Sequence, residues 1–134
     1  MPIEMKLRKG IDLIEESVGE GPEIEKQKCY QMGLRIWLNK GDPVTWNSGY
    51  GTLDENNPIQ MADKAQLMIS NFRYDRVHLF NGLFYGVKGM RIGGVRKLRI
   101  APHLAFGEDG VEGLIPANAL LVVEVSVMKE IHMS

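Results

Sequence analysis

The sequence predicts an α+β fold, five or six mostly antiparallel strands with one short helix, and three stretches predict it. Leu121, Val123, Val125 and Val127 lie on one face of a strand, with Glu124, Ser126 and Glu130 on the other, because successive side chains of an extended chain point to opposite sides. Between Lys28 and Asn39, Tyr30, Met32, Leu34, Ile36 and Leu38 share one face and Gln31, Arg35 and Trp37 the other, which predicts a long central strand. Leu83, Val87 and Met90 recur at spacings of four and three, the one-sided stripe of a short helix over 82–90.

The remaining elements follow in order. Ile3, Met5 and Leu7 alternate with Glu4, Lys6 and Arg8 and predict an N-terminal strand extension within 1–10, interrupted at Gly10. Ile11 and Leu13 continue the period of two, and Glu15 to Glu25, with Gly19, Gly21 and Pro22, reads as an acidic turn region. Asn39, Gly41, Asp42 and Pro43 are a turn cluster. Val44 to Asp63 is the least regular part: WNSGYGTLDENNPIQ mixes turn formers with isolated aromatics and reads as a loop or irregular edge, and Ala65 to Phe72, with Leu67 and Ile69 inward, reads as a strand before the polar connection Asn71 to Arg76. Val77, Leu79 and Phe80 lead into the helix. Gly93 and Gly94 break it into a tight turn. Leu98 and Ile100 then alternate with Lys97 and Arg99 as a half-buried strand closed by Pro102. A loop with Gly107, Gly110, Gly113 and Pro116 precedes the last strand. No repeat or linker divides the chain, so residues 1–134 read as a single domain.

Composition sets bounds on function. With 134 residues, 44% hydrophobic and 25% charged, the chain has the make-up of an ordinary globular domain. Its net charge of −1 offers no global attraction to nucleic acid or to anionic membrane. One cysteine, Cys29, makes no internal disulfide. The first ten residues hold no apolar run of the length a signal peptide or a span requires. The expectation is a cytoplasmic protein without membrane or nucleic-acid partners.

Recognised chemistry is sparse. The glycines from Gly82 to Gly94 match neither G-x-G-x-x-G nor G-x-x-x-x-G-K-[ST] and read as turn formers. Lys88, Arg91, Arg96, Lys97 and Arg99 form a basic cluster, which a nucleic-acid face would resemble, but in a near-neutral chain it reads as a solvated sheet face. His78, His103 and His132 have no metal-ligand spacing among themselves or with Cys29. Cys29 falls within a predicted strand, where an inert thiol is usual, and no G-x-S-x-G elbow occurs. Asp54 and Glu55, like Glu108, Asp109 and Glu112, sit in turn-rich loops. No metal, no cofactor and no acid–base pair is predicted, which leaves apolar chemistry or none.

One pattern is specific. Gly86, Val87, Met90, Gly93, Lys97, Leu98, Ile100 and Pro102, continuing through Ala105, Phe106, Gly107, Gly110, Gly113, Ile115, Pro116, Ala119, Leu121, Val122, Val125 and Lys129, resemble without a gap the FKBP-type peptidyl-prolyl cis-trans isomerases, the macrolide-binding immunophilins. The first strands match loosely and 44–76 hardly at all, being longer than in the minimal family domain. The resemblance implies a bent antiparallel half-barrel of five or six strands wrapped around the short helix, with an apolar substrate pocket between helix and sheet. Its floor would be Leu83, its wall before the helix Leu79 and Phe80, its flap Phe106, Leu114 and Ile115, and one side Val123. A second wall would fall near Val44, Thr45 or Trp46. The backbone N–H of Phe80 would hold a substrate carbonyl.

Such a pocket suits the chemistry. Rotation about a peptide bond faces a barrier of about 18–20 kcal/mol, and unaided X-Pro isomerisation takes tens to hundreds of seconds. The twisted transition state carries less charge separation than the planar amide, so an apolar pocket favours it without acid, base or metal. Five positions depart from the family pattern: Phe106 replaces a tyrosine usual in many members, Leu83 a tryptophan, Val123 a larger aromatic, and Val111-Glu112 a flap His-Pro. A lost tyrosine hydrogen bond costs about 0.5–1.5 kcal/mol. The resemblance therefore implies a prolyl isomerase of proline-containing peptides or proteins with weakened activity and weakened macrolide binding. The alternative is a non-catalytic peptide-binding or chaperone-like module on the same fold.

Overall fold

The computed structural model describes residues 7–44, 67–113 and 115–132. Five strands form one open antiparallel sheet: β1 (Ile11–Ser17), β2 (Cys29–Leu38), β3 (Met68–Arg73), β4 (Val95–Ile100) and β5 (Leu121–Ile131), in the order β1-β4-β5-β2-β3. Alternation decides which face is buried. Tyr30, Met32, Leu34 and Ile36 of β2, Leu98 and Ile100 of β4, and Leu121, Val123, Val125 and Val127 of β5 are all in the core. Their partners across the ladder share that face: Leu98 opposes Val123, and Val123 opposes Ile36.

The helix α1 (Asn81–Gly86) lies on this inner face. Leu83, Val87 and Met90 are all buried, as the stripe predicts, but the helix ends at Gly86 and residues 87–89 form a turn. Two glycines let it approach β4 closely. A Cβ on Gly82 would overlap Ile100 Cγ2 and the Leu104 carbonyl oxygen, and one on Gly86 would stand 2.6 Å from Leu98 Cδ1.

Three expectations are corrected. Glu15–Ser17 belong to β1 rather than to a turn, because Ile14 is an extra residue: Leu13 pairs with Leu98 and Glu15 already with Lys97. The bulge resets the alternation and turns Glu16 to the side of Arg96. In β3 the inward residues are Met68 and Phe72, not Leu67 and Ile69, since Phe72 opposes the core residue Tyr30. Arg96 is not on a solvated face but 1% exposed. The N-terminal strand expected around Ile3 and Met5, and the turn formers of 45–66, lie outside the described residues.

Burying Arg96 requires partners. Its Nε donates to Glu16 Oε2 at 2.7 Å, and its Nη1 to the carbonyls of Gly86 at 2.8 Å and Lys88 at 2.7 Å. The guanidinium thus caps carbonyls at the C-terminal end of α1, which the helix itself leaves without donors, and links them to β1. Burial raises the Tyr74 phenol pKa, opposed by the Arg96 charge, so Tyr74 stays neutral beside the cation.

Outside, one row runs Glu15, Lys97, Glu124, Arg35 across β1, β4, β5 and β2, with Arg35 Nη1 2.8 Å from Glu124 Oε1 and Lys97 Nζ 5.4 Å from the Trp37 ring centre. The basic cluster read in the sequence is therefore broken up: Lys88 and Arg91 precede β4, Arg96 points inward from it, and Lys97 and Arg99 lie on its other face. Among the described residues no helix is long and apolar enough to cross a membrane.

Candidate functional site

The site begins in the turn before α1. Asp75 Oδ1 accepts the N–H groups of Val77 (3.0 Å) and His78 (2.9 Å) and lies 2.9 Å from His78 Nδ1. Its Oδ2 is 3.3 Å from Arg73 Nε. Burial alone would raise the Asp75 pKa, but the hydrogen bonds from His78 and Val77 outweigh it and hold the carboxyl below its ordinary value. The Asp75 carbonyl then accepts the Leu79 N–H at 3.2 Å. This compact turn fixes the backbone that delivers Leu79 into the core and Phe80 to the helix N-cap, in extended geometry. None of the hydrogen bonds among the described residues engages the Phe80 N–H.

Leu79, Leu83, Ile115 and Val123 are buried in one contiguous apolar cluster that also contains Val44, and Phe80, Phe106 and Val111 are half-buried against it. The rings of Phe80 and Phe106 lie 5.3 Å apart at 42°, an offset contact that suits aromatic quadrupoles. Leu79, Leu83 and Val123 are closed off from solvent, at 1% exposure or less, while Phe80 and Phe106 keep part of their surface accessible. Leu114 and Trp46, expected in the flap and second wall, lie outside the described residues. Val44 is held against β2 by its N–H to the Ile36 carbonyl, 2.8 Å.

The flap is a closed loop. Val111 and Ile115 exchange two backbone hydrogen bonds of 2.8 Å, the Gly110 N–H reaches the Phe106 carbonyl at 2.9 Å, and the Asn118 N–H reaches the Gly107 carbonyl at 2.7 Å. Gly110 has φ of 59°, and a Cβ there would run into the Ile115 and Pro116 carbonyls. No other residue type fits that position.

A family model described as FKBP-type peptidyl-prolyl cis-trans isomerase matches residues 39–128. The chain belongs to the FKBP-type peptidyl-prolyl cis-trans isomerase family. It is 45% identical over 58 residues to FK506-binding protein 1A of Neurospora crassa, 43% of this chain and 48% of that protein. Over 124 residues it is 27% identical to FK506-binding protein 4 of Mycosarcoma maydis, 92% of this chain and 28% of that one. The chain therefore spans about half or less of the length of these curated relatives. A solved peptidyl-prolyl cis-trans isomerase from Pseudomonas syringae superposes with a TM-score of 0.68 at 20% identity, over 96% of this chain and 80% of that one, a likeness of fold.

For an FKBP-type domain, the sequence hides two things that the structure reveals. Arg96 shares the parity of Leu98 and Ile100, a signal that it points inward, obscured by the basic residues around it. Asp75, three residues before His78, has the spacing of a side chain that caps its own turn.

Proposed function

We propose that the chain is a peptidyl-prolyl cis-trans isomerase acting on X-Pro bonds, with Phe80, Leu83 and Phe106 as its central residues. Leu79, Leu114, Ile115, Val123 and Trp46 complete the pocket in this reading. The observation that supports it is the half-buried Phe80–Phe106 pair packed against the apolar cluster that contains Leu79, Leu83 and Val123, together with a Phe80 N–H without a partner among the described residues.

In this mechanism the prolyl ring rests on the floor, the rings of Phe80 and Phe106 exclude water, and the Phe80 N–H holds a substrate carbonyl. Twisting the amide reduces its charge separation, so the dry surroundings favour the twisted over the planar form. The donor is a backbone group and survives any side-chain change. Phe106 supplies apolar contact but no hydroxyl, which supports an activity and a macrolide affinity several-fold lower than a tyrosine there would give. A cytosolic location and a proline-containing protein as natural substrate belong to the same proposal.

The test is exchange spectroscopy on X-Pro peptides with varied X, at catalytic amounts of protein. Accelerated exchange of the cis and trans proline signals is expected. Binding without acceleration for every X would instead establish the non-catalytic peptide-binding module.

A further inference from the structure

We propose that the cavity under the 109–117 flap is a subsite for a Lys or Arg side chain flanking the proline of a bound peptide. The placement of the proline rests on the prolyl-isomerase reading above.

The cavity has a volume of about 610 Å³, ample for a long side chain and its backbone. Leu38, Val111, Ile115 and Pro116 form apolar walls, and Asp109 and Glu112 stand on its rim. Both carboxylates are exposed, and neither has an ion-pair partner among the described residues. No Lys or Arg occurs between Arg99 and Lys129, while Glu108, Asp109 and Glu112 all fall in the loop. Lys40, two residues beyond the lining residue Leu38, is paired with Asp42 at 3.4 Å on its own turn. Among the described residues the rim is therefore negative.

The cavity adjoins the prolyl site. Ile115 belongs to both, and the Gly110 N–H ties the flap to the backbone of Phe106 at 2.9 Å. A chain leaving the Phe80–Phe106 pair along the flap enters this space.

Charge complementarity selects the occupant. A purely apolar side chain would cover the walls but strip water from two carboxylates without replacing it, which is unfavourable. An acidic one would add repulsion. Lys and Arg have an aliphatic stem for Leu38, Val111 and Pro116 and a cationic head that stays at the wet rim. Two exposed charge pairs of ordinary strength give a preference of about fivefold over an acidic residue.

The experiment titrates the full chain with alanine-based X-Pro peptides carrying Lys, Leu or Glu immediately before or immediately after the proline. Chemical shifts of Val111, Gly113 and Ala117 locate the contact. At one of the two positions Lys is expected to bind about fivefold tighter than Glu, with the shifts confined to the flap. The preference should fall to less than about twofold in the double variant Asp109→Asn/Glu112→Gln, and likewise in about 0.5 M salt. Both residues are exposed, so the variant keeps its fold. Affinity indifferent to charge at both positions, or a preference unchanged in the double variant, overturns the subsite. Turnover on the same samples separates the two claims. Acceleration without charge preference sinks the subsite alone, and charge preference without acceleration sinks the isomerase reading alone.

Discussion

Replacing Arg96 by methionine removes the guanidinium while keeping an unbranched side chain of similar reach. The Gly86 carbonyl, inside the protein, then lacks a donor, and the Lys88 carbonyl, nearer the surface, recovers water in part. An unsatisfied buried group costs about 1–3 kcal/mol. Glu16 loses its partner, but its side chain is 23% exposed and can rehydrate, so it adds little. The sum is about 3 kcal/mol, the lower end of the range for breaking a buried charged network. In a chain of 134 residues that lowers Tm by about 10 °C. Urea denaturation followed by circular dichroism measures the free energy, and a thermal scan the midpoint. Arg96→Lys should fall between, since one ammonium reaches neither the same geometry nor both carbonyls and the carboxylate at once. Glu16→Gln keeps a hydrogen-bond acceptor but removes a carboxylate from beside a buried guanidinium, so it should cost about 1–3 kcal/mol. A loss below about 1 kcal/mol for Arg96→Met would refute the view that this cation secures the end of α1.

Three further outcomes are expected. Gly82→Ala destabilises by about 1–2 kcal/mol net, because the new methyl meets the immovable Leu104 carbonyl and Ile100, and the gain in helix propensity of about 1 kcal/mol does not offset the overlap. Gly86→Ala costs less, as only the end of the Leu98 side chain must move; parallel melts give the order. Asp75 has a lowered folded pKa, so its contribution is present above the ordinary carboxyl pKa and is lost as pH falls through the folded value. The variant Asp75→Asn should thus lose less stability than the parent between pH 7 and pH 3, read as the difference in urea midpoints. Phe106→Tyr raises peptide or macrolide affinity several-fold if the side chain faces the ligand; calorimetry showing no gain argues that it does not.

Much of the fold is legible because alternation and burial coincide. β2 from Tyr30 to Ile36 and β5 from Leu121 to Val127 carry apolar residues at every second position, and each of these is buried on that face. Legibility fails where one residue changes the phase. Ile14 is inserted in β1, and Met128 in β5, where Gln31 pairs with Lys129 but Met32 with Val127. Both residues are apolar and exposed, so hydrophobicity alone misplaces them. β3 fails differently: Met68, Ile69 and Phe72 allow either face, and only pairing with Tyr30 decides. For the site, Leu79, Leu83, Ile115 and Val123 are readable as buried residues, and Phe80 and Phe106 as half-buried ones, because the framework glycines and prolines fix their register. Asp75 and Arg96 are not, since their roles are hydrogen bonds to backbone atoms brought close only by folding.

The bond from Asn118 to Gly107 closes the flap at its neck. A loop tied off in this way is an exchangeable part. Apart from Gly110, its length and side chains can be rewritten at small entropic cost, because closure depends only weakly on loop length, while the strands on either side keep their register. In the prolyl-isomerase reading, the domain can therefore acquire a new preference for the residues around a proline by changing this loop, Ile115 aside, while the Phe80–Phe106 pair stays in place. Grafting that segment onto a relative of the same fold should transfer the preference without transferring the rate.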